Sequence, residues 1–262
     1  TFQKIEEQLY VYIRYLKSNS FYKFNQYYCK LIILALEKLN RYTGAIRRIN
    51  YNNLDSCMIL YRATLETIIN CYFCTYFFDK DTQLGNELAQ RFFKFHAIKF
   101  KKNMLETSKA KIDLNSVLEK NCNLNVVIVN NDTSDNKKKK KQKETWQAHP
   151  NLFEIYGFSC KDFNRSEYTK YASLALKKIC GLNESNIISE EYKIANNFVH
   201  FSPYSFINVY ESKLLKERFS NILNNSTCFI FDILNLIFHH SDLKPNGTII
   251  ELKSKFQYTN EI

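Results

Sequence analysis

Residues 54–78 read LDSCMILYRATLETIINCYFCTYFF, and this stretch decides the fold. Its apolar side chains recur at every third and fourth position and fill most of the positions between, so a helix here is hydrophobic on nearly every face. Asn53 is a suitable N-cap for that helix, with Asp55 in the first turn. A helix that is apolar all round belongs at the centre of a bundle, where other helices cover it.

Helices are predicted on both sides of this central one. Six further segments have apolar residues at helical spacing, at about residues 2–16, 22–49, 82–107, 166–180, 187–200 and 211–239. Asp81 or Thr82 would cap the helix at 82–107, and Gly181 would end the one at 166–180. The chain has only five Gly and three Pro, which leaves few places where a helix must end. We therefore predict an all-α fold, a multi-helix bundle of long antiparallel helices.

The middle of the chain has a different composition. Residues 124–129 (LNVVIV) are rich in β-branched side chains without helical spacing, which favours a short strand or an extended segment. Residues 130–145 are polar and contain six lysines, namely Lys137, Lys138, Lys139, Lys140, Lys141 and Lys143. Because like charges without apolar anchors do not pack, we predict a disordered lysine-rich loop inserted into a single all-α domain of residues 1–262. After a turn at 245–247, the tail at 248–253 alternates weakly between apolar and polar residues.

The formal net charge of +11 invites a nucleic-acid interpretation, and the position of the charge limits that interpretation. The six loop lysines supply more than half of it, which leaves +5 for the rest of the chain. Such a run is typical of a solvated loop. The alternative is a tethered arm that contacts RNA or another acidic partner, with affinity but little sequence specificity, because no aromatic or arginine side chains lie among the lysines.

Cysteine content and the lengths of the apolar runs bear on where the protein works. The eight cysteines lie mostly in apolar helical stretches and are too sparse for a disulfide-stapled secreted domain. The most apolar runs, residues 71–78 and 228–238, are shorter than the about 20 residues that a membrane-spanning helix needs. The opening residues lack the apolar core of a signal peptide. We therefore expect a cytoplasmic protein with no membrane partner.

Two charged residues interrupt the apolar central helix. Arg62 and Glu66 are four positions apart and therefore share one helical face. One interpretation is an internal salt bridge, since buried charges are normally paired. The other is a polar slot in which Arg62 binds an anion and Glu66 acts as a base or orients a histidine.

A histidine near the end of a later helix is the first candidate for proton transfer. His200 lies in the segment NNFVHFSP, residues 196–203. The carbonyl end of a helix favours the imidazolium form and brings the charge change of His200 near physiological pH. Asn196, one turn earlier, is placed to orient His200. The alternative is a structural histidine at a helix end.

A second arginine–histidine pair lies on the helix predicted for residues 82–107. Arg91 and His96 match the R-x(4–6)-H spacing of HEPN ribonucleases, in which the pair meets around a scissile RNA phosphate, usually across a dimer. An offset of five residues separates the two side chains by more than about 100° around a helix, which favours a chance match. We keep Arg91 and His96 as an alternative catalytic pair. In a homodimer, Arg91 and His96 would meet across the interface.

Other chemical signatures are weak or missing. The C-x-x-C at residues 71–74 lies within a helix, without a second cysteine pair or suitably spaced histidines, so zinc or redox chemistry is not indicated. His239 and His240 end a helix and amount at most to a metal-scavenging pair. The P-loop, dinucleotide-binding and nucleophile-elbow motifs do not occur. The sequence therefore predicts no cofactor and no metal.

Two segments carry a resemblance to a known family. They are YRATLE at residues 61–66 and YKIANNFVHFSP at residues 192–203. They resemble two motifs of domain of unknown function 5677, a mainly bacterial helical family: R-x-x-x-E, and Tyr, three residues, Ser, x, aromatic, Val, His. The resemblance covers about residues 20–240, and Asn196 stands where the family has Ser. It implies a helical bundle similar in shape to HEPN-like bundles and, by itself, no reaction.

Two functions of different classes follow as hypotheses. The first is a HEPN-like, metal-independent endoribonuclease of defence or toxin type. In it His200 is the general acid and base, Arg62 stabilises phosphate charge, Glu66 orients the histidine, and Asn196 lies nearby. The second is a non-catalytic helical adaptor, whose Arg–Glu–His cluster is structural and whose lysine loop contacts an acidic partner. The sequence leaves open whether the chain is an enzyme.

Overall fold

The computed structural model describes residues 2–49, 51–107, 165–181, 187–199 and 212–258. Within these ranges the chain forms nine α-helices and one 3₁₀ helix, and no strand. The predicted all-α helical bundle is therefore confirmed. The extended segment predicted at 124–129 and the lysine-rich loop at 130–145 lie outside the described residues. The organisation of residues 1–262 as one domain stays a prediction.

The helices follow the predicted order closely. Their bounds are α1 (Phe2–Ser18), α2 (Ser20–Phe24), α3 (Gln26–Arg48), the 3₁₀ helix (Tyr51–Asn53), α4 (Leu54–Phe78), α5 (Thr82–Thr107), α6 (Arg165–Cys180), α7 (Ile187–Val199), α8 (Ser212–His240) and α9 (Gly247–Ser254). Two predictions were wrong: the helix expected at 22–49 is divided into α2 and α3, and the tail at 248–253 is helical.

The chain forms two compact units, Thr1–Asn86 with Asn164–Ile262, and Glu87–Phe163. The first unit holds α1 to α4, the start of α5, and α6 to α9. The described part of the second unit is the remainder of α5, in which Leu88, Ala89 and Phe93 are buried.

Helix α4 is the central helix of the first unit, as its apolar sequence predicts. It contacts α3, α6, α7 and α8, so that neighbours cover it on several sides. The hydroxyls of Tyr28, near the start of α3, and Thr75, near the end of α4, lie 2.6 Å apart in a hydrogen bond. Since the start of one helix meets the end of the other, α3 and α4 run antiparallel.

Helix α8 is the second long apolar helix. Asn225 of α8 donates to the hydroxyl of Tyr61 in α4. Further along both helices, the Tyr72 hydroxyl of α4 donates to the backbone oxygen of Asp232 in α8. The order of these contacts means that α8 runs in the same direction as α4, so this pair of helices departs from the antiparallel arrangement predicted for the bundle. Its segment Lys216–His240 is long and apolar enough to cross a membrane, but 72% of its most apolar 18-residue window is buried inside the protein. Such burial is typical of a core helix.

The break between α2 and α3 lies at Asn25, whose φ of −114° and ψ of 41° are not helical. Asparagine favours such positions because its side chain competes with helical hydrogen bonds. The side chain of Asn25 makes no cap bond. Instead, Asn86 of α5 accepts the backbone N–H groups of Tyr27 and Tyr28 at 3.0 and 3.1 Å. The first turn of α3 is therefore capped by a residue distant in sequence.

Asn246 explains why the C-terminal tail is helical. Its Oδ1 accepts the backbone N–H of Ile249 at 2.9 Å, which is the bond of an N-cap residue. Its Nδ2 donates to Gln8 of α1 at 2.6 Å. Ile249 and Leu252 of α9 are buried, so the weak alternation in this segment is the three-residue spacing of one helical face.

The turn between α4 and α5 is sharp. Asp81 caps α5 as predicted, because its Oδ1 accepts the N–H groups of Gln83 and Leu84 at 2.9 and 3.2 Å. Gly85 lies against the end of α4, where an added Cβ would come within 2.3 Å of Phe78 Cβ and 2.5 Å of its Cα. A residue without a side chain is therefore required at Gly85.

Candidate functional site

Arg62 and Glu66 form the centre of the candidate site, on one face of α4. Arg62 Nη2 lies 3.3 Å from Glu66 Oε1, an ion pair between residues four apart. Their side chains are 21% and 46% exposed, respectively. The pair is therefore accessible to solvent, although most of the helix that carries it is buried.

Tyr192 of α7 connects the two charged residues. Its hydroxyl donates to Glu66 Oε1 at 2.8 Å and accepts from Arg62 Nε and Nη2, both at 3.3 Å. The Arg62 guanidinium carbon also lies 5.6 Å from the centre of the Tyr192 ring, within cation–π range. Tyr192 itself is buried. Tyr192 begins the segment YKIANNFVHFSP, but no role is predicted for it from the sequence; its position four residues before Asn196, on the same helical face, is the signal that could have found it.

Asn196 lies one turn after Tyr192 on α7 and is partly buried. Its Oδ1 is buried and accepts no hydrogen bond from the part of the chain that the structure describes. A buried acceptor left without a donor costs about 1–3 kcal/mol, so this atom is a place where a donor is expected. Asn196 therefore lies on the helix that Tyr192 joins to Arg62 and Glu66, and its predicted role beside His200 stays a prediction.

The predicted general acid and base, His200, lies outside the described residues, directly after the last residue of α7, Val199. The same holds for the loop lysines Lys137, Lys138, Lys139, Lys140, Lys141 and Lys143. Of the four residues assigned to the catalytic pocket, the structure brings Arg62 and Glu66 into contact and puts Asn196 on the helix that packs against them.

A buried network fixes α7 against its neighbours, immediately beside Tyr192. Glu191 Oε2 lies 3.1 Å from Arg218 Nη2 of α8, with both side chains almost fully buried. The Tyr61 hydroxyl of α4 accepts from Asn225 of α8. Burial, and next the nearby Glu191 carboxylate, raise the pKa of Tyr61 well above its usual value. Because Glu191 and Tyr192 are adjacent, this network helps to position Tyr192 over Arg62.

The alternative pair lies on α5, with Arg91 partly buried and His96 exposed. The His96 ring packs against Phe92, with ring centres 4.4 Å apart, and against Phe95 at 5.4 Å. The two residues are five positions apart on one continuous helix, so their side chains point about 140° apart around its axis. The side chains of Arg91 and His96 in one chain therefore do not point toward the same phosphate.

A polar cluster that the sequence indicated only through His239 and His240 lies where α4 and α8 end. Asp79, directly after α4, has Oδ2 at 2.5 Å from Lys178 Nζ and at 3.5 Å from His239 Nε2, and Oδ1 at 3.4 Å from His240 Nε2. Burial lowers the pKa of His240 to about 4, and the carboxylate of Asp79 opposes this shift. His239 and His240 were the only signal in the sequence, because Asp79 is distant along the chain.

Asp232 of α8 is a buried carboxyl group away from this cluster. It accepts a hydrogen bond from the hydroxyl of Tyr258. Burial raises the pKa of Asp232 to about 6, and hydrogen bonds from Tyr258 and Cys180 oppose the shift. The cysteines of the C-x-x-C are also buried, and burial raises the pKa of Cys71 to about 12, so its thiol stays protonated and unreactive at neutral pH.

Comparison of the chain with protein-family models, curated proteins and solved structures finds no match. The resemblance to domain of unknown function 5677 stays a prediction. So do the cytoplasmic location, the absence of a membrane partner and the homodimer.

Proposed function

We propose that the chain is a metal-independent endoribonuclease of HEPN-like type, with its site where α4 meets α7. One observation carries the proposal: Tyr192 links Arg62 and Glu66 to α7, the helix that carries Asn196 and ends at Val199, one position before His200 in the sequence. The partial exposure of Arg62 and Glu66 also supports it, because a substrate phosphate must reach the guanidinium.

RNA can be cleaved without a metal because its ribose 2′-hydroxyl is an internal nucleophile. In the proposed reaction His200 removes the 2′-hydroxyl proton, the 2′-oxygen bonds to phosphorus, and the bond from phosphorus to the 5′-oxygen breaks. The 5′-oxygen takes a proton from the imidazolium or from water, leaving a 2′,3′-cyclic phosphate. Arg62 stabilises the negative charge that develops on the phosphoryl oxygens, and Glu66 orients the site.

The hydrogen bonds of Arg62 are compatible with exchange for a substrate. Both contacts to the Tyr192 hydroxyl are 3.3 Å long, at the weak end of N–H···O bonds. A phosphate oxygen carries charge and is therefore a stronger acceptor than a neutral hydroxyl. We propose that Arg62 exchanges Tyr192 for phosphate while Tyr192 keeps its shorter bond to Glu66.

The test is incubation of the purified chain with end-labelled RNA in the presence of a metal chelator. Wild type and Lys193→Ala, a control at an exposed position on α7, should give products with 2′,3′-cyclic ends. His200→Ala and Arg62→Gln should each lower the cleavage rate at least about 100-fold. A 2′-deoxy substitution at the cleaved nucleotide should abolish cleavage there.

Equal cleavage by wild type and His200→Ala, or no cleavage by wild type, would contradict the proposal. Loss of cleavage in Arg91→Gln and His96→Ala, with His200→Ala fully active, would instead assign the reaction to the alternative pair on α5.

A non-catalytic helical adaptor is the second candidate, and the closure of the Arg62–Glu66–Tyr192 network within the protein favours it. Here the network is structural, and the six loop lysines bind RNA or another acidic partner. Fluorescence anisotropy with single-stranded RNA tests this candidate at increasing salt. Binding that weakens steeply with salt, disappears when the six lysines are changed to serine and survives Arg62→Gln would support it. Binding unaffected by the lysine changes would contradict it.

A further inference from the structure

The ends of α4 and α8 bring three metal-ligating side chains together. Asp79 follows the last residue of α4, and His239 and His240 are the last two residues of α8. One ligand atom from each of the three lies within 4.8 Å of the other two. Neighbouring residues of a helix normally point to different sides, yet the Nε2 atoms of both imidazoles lie near the Asp79 carboxylate.

The distances fit a metal ion. Each histidine offers Nε2 to the carboxylate, at 3.5 Å for His239 and 3.4 Å for His240. Two ligand atoms bound at 2.0–2.1 Å to a tetrahedral zinc ion lie about 3.4 Å apart. Because the three ligand atoms already lie within 4.8 Å of one another, movements of these side chains would complete a metal site.

Burial and packing give the site a rigid side and an open side. The side chains of Asp79 and His240 are 8% and 9% exposed, whereas that of His239 is 36% exposed. The His240 ring meets the rings of Phe78 and Tyr28 edge to face, with centres 5.0 and 5.5 Å apart. These contacts hold one imidazole in place, and the exposed His239 leaves a route for an ion to enter.

We propose that Asp79, His239 and His240 bind a divalent transition-metal ion, with zinc as the representative. Two imidazole nitrogens and one carboxylate oxygen suit zinc, cobalt, nickel or iron(II), whereas calcium and magnesium prefer oxygen ligands alone. The bound ion joins the C-terminal ends of α4 and α8. It therefore stabilises the first unit and is separate from the proposed cleavage site.

Lys178 of α6 competes with the metal. Its Nζ lies 2.5 Å from Asp79 Oδ2, and its side chain is 61% exposed. The ammonium group must leave the carboxylate before a cation can take its place. Because the side chain reaches solvent, it can do so without rearrangement of the core. Removing the charge at Lys178 should tighten metal binding.

Titration of the full chain with cobalt(II), followed by visible absorption, tests the site. Wild type and the control His96→Ala should bind one equivalent, with d–d bands of a nitrogen- and oxygen-ligated ion and no thiolate charge-transfer band. Asp79→Asn and His239→Ala should each weaken binding at least about tenfold, as expected for loss of a ligand, and Lys178→Met should strengthen it. Zinc should displace cobalt and raise the unfolding temperature of wild type but not of His239→Ala.

His239→Ala changes an exposed residue and so should leave the fold intact, which unchanged circular dichroism will verify. Three results would overturn the proposal: no saturable cobalt spectrum in wild type, equal affinity in wild type, Asp79→Asn and His239→Ala, or a spectrum dominated by thiolate ligation.

Discussion

Glu191 and Arg218 form an ion pair of 3.1 Å in which the two side chains are only 7% and 9% exposed. The pair joins α7 to α8, and the residue after Glu191 is Tyr192, which joins α7 to Arg62 and Glu66 of α4. Two consecutive residues of one helix thus connect it to both of the long core helices. The geometry of the candidate site therefore depends on a contact that the substrate would not touch.

Arg218→Met should lower the free energy of unfolding by about 3–5 kcal/mol, because it leaves the buried Glu191 carboxylate without its partner. The double variant Glu191→Gln/Arg218→Met should be clearly more stable than Arg218→Met, since it removes both charges. Urea unfolding followed by circular dichroism measures both. Equal loss in the single and the double variant would contradict the prediction, because it would show that the unpaired Glu191 carboxylate is not the source of the loss.

Tyr192→Phe should cost about 1–2 kcal/mol, because the hydroxyl bonds to two charged side chains that are only partly desolvated. Tyr10→Phe is the matched control, since Tyr10 is 64% exposed and its change should stay within about 0.5 kcal/mol. The comparison uses chemical denaturation at neutral pH. If both variants are equally stable, the network over Arg62 is not held by the Tyr192 hydroxyl.

Asp232→Asn should show a pH-dependent effect on stability. Burial raises the pKa of Asp232 to about 6 in the folded protein, so folding favours the protonated carboxyl group. The protonated carboxyl group contributes fully to the free energy of unfolding below the unfolded pKa of about 3.9. This contribution is lost as the pH rises through the folded pKa of about 6, a change of about 3 kcal/mol. Asparagine does not titrate. The free energy of unfolding of the variant, relative to that of wild type, should therefore rise by about that much between pH 4 and pH 7. Denaturant unfolding at the two pH values gives the difference, and a difference that is independent of pH would contradict the assignment.

Two glycines in helices should respond in opposite ways to alanine. Gly85→Ala places a Cβ within 2.3 Å of Phe78 and should destabilise by at least about 2 kcal/mol, or shift the end of α4. Gly44→Ala meets nothing within 4 Å inside α3 and should stabilise by about 0.5–1 kcal/mol. The unfolding temperatures of the two variants, compared with that of wild type, test this prediction. A lower unfolding temperature for Gly44→Ala would contradict it.

Local patterns predicted the helices well because helical periodicity and capping are local. Asp81 begins α5 as expected, because its side chain accepts N–H groups of the first turn. Gly181 ends α6 as expected, with a φ of 68°. The helix break at Asn25 could not be predicted in this way, because the residue that caps the first turn of α3 is Asn86, which is distant in the sequence. Residues 248–253 were misread because a short helix with few turns resembles weak alternation.

The candidate site was predictable only in part, for the same reason. The spacing of Arg62 and Glu66 gives their ion pair directly, since residues four apart on a helix are neighbours. Tyr192 lies 126 positions from Glu66, and its role follows from packing of α7 on α4. Asp79 and His239 likewise meet only in the folded chain. No periodicity relates residues at such separations.

The Asn86 cap also has a consequence for how the protein is made. As the nascent chain leaves the ribosome, Tyr27 emerges 59 residues before the amide that accepts its N–H. Until α5 begins to emerge, the first turn of α3 lacks its acceptor, and the start of that helix should fray. Completion of α3 during synthesis therefore waits for a residue that follows both α3 and α4 in the chain.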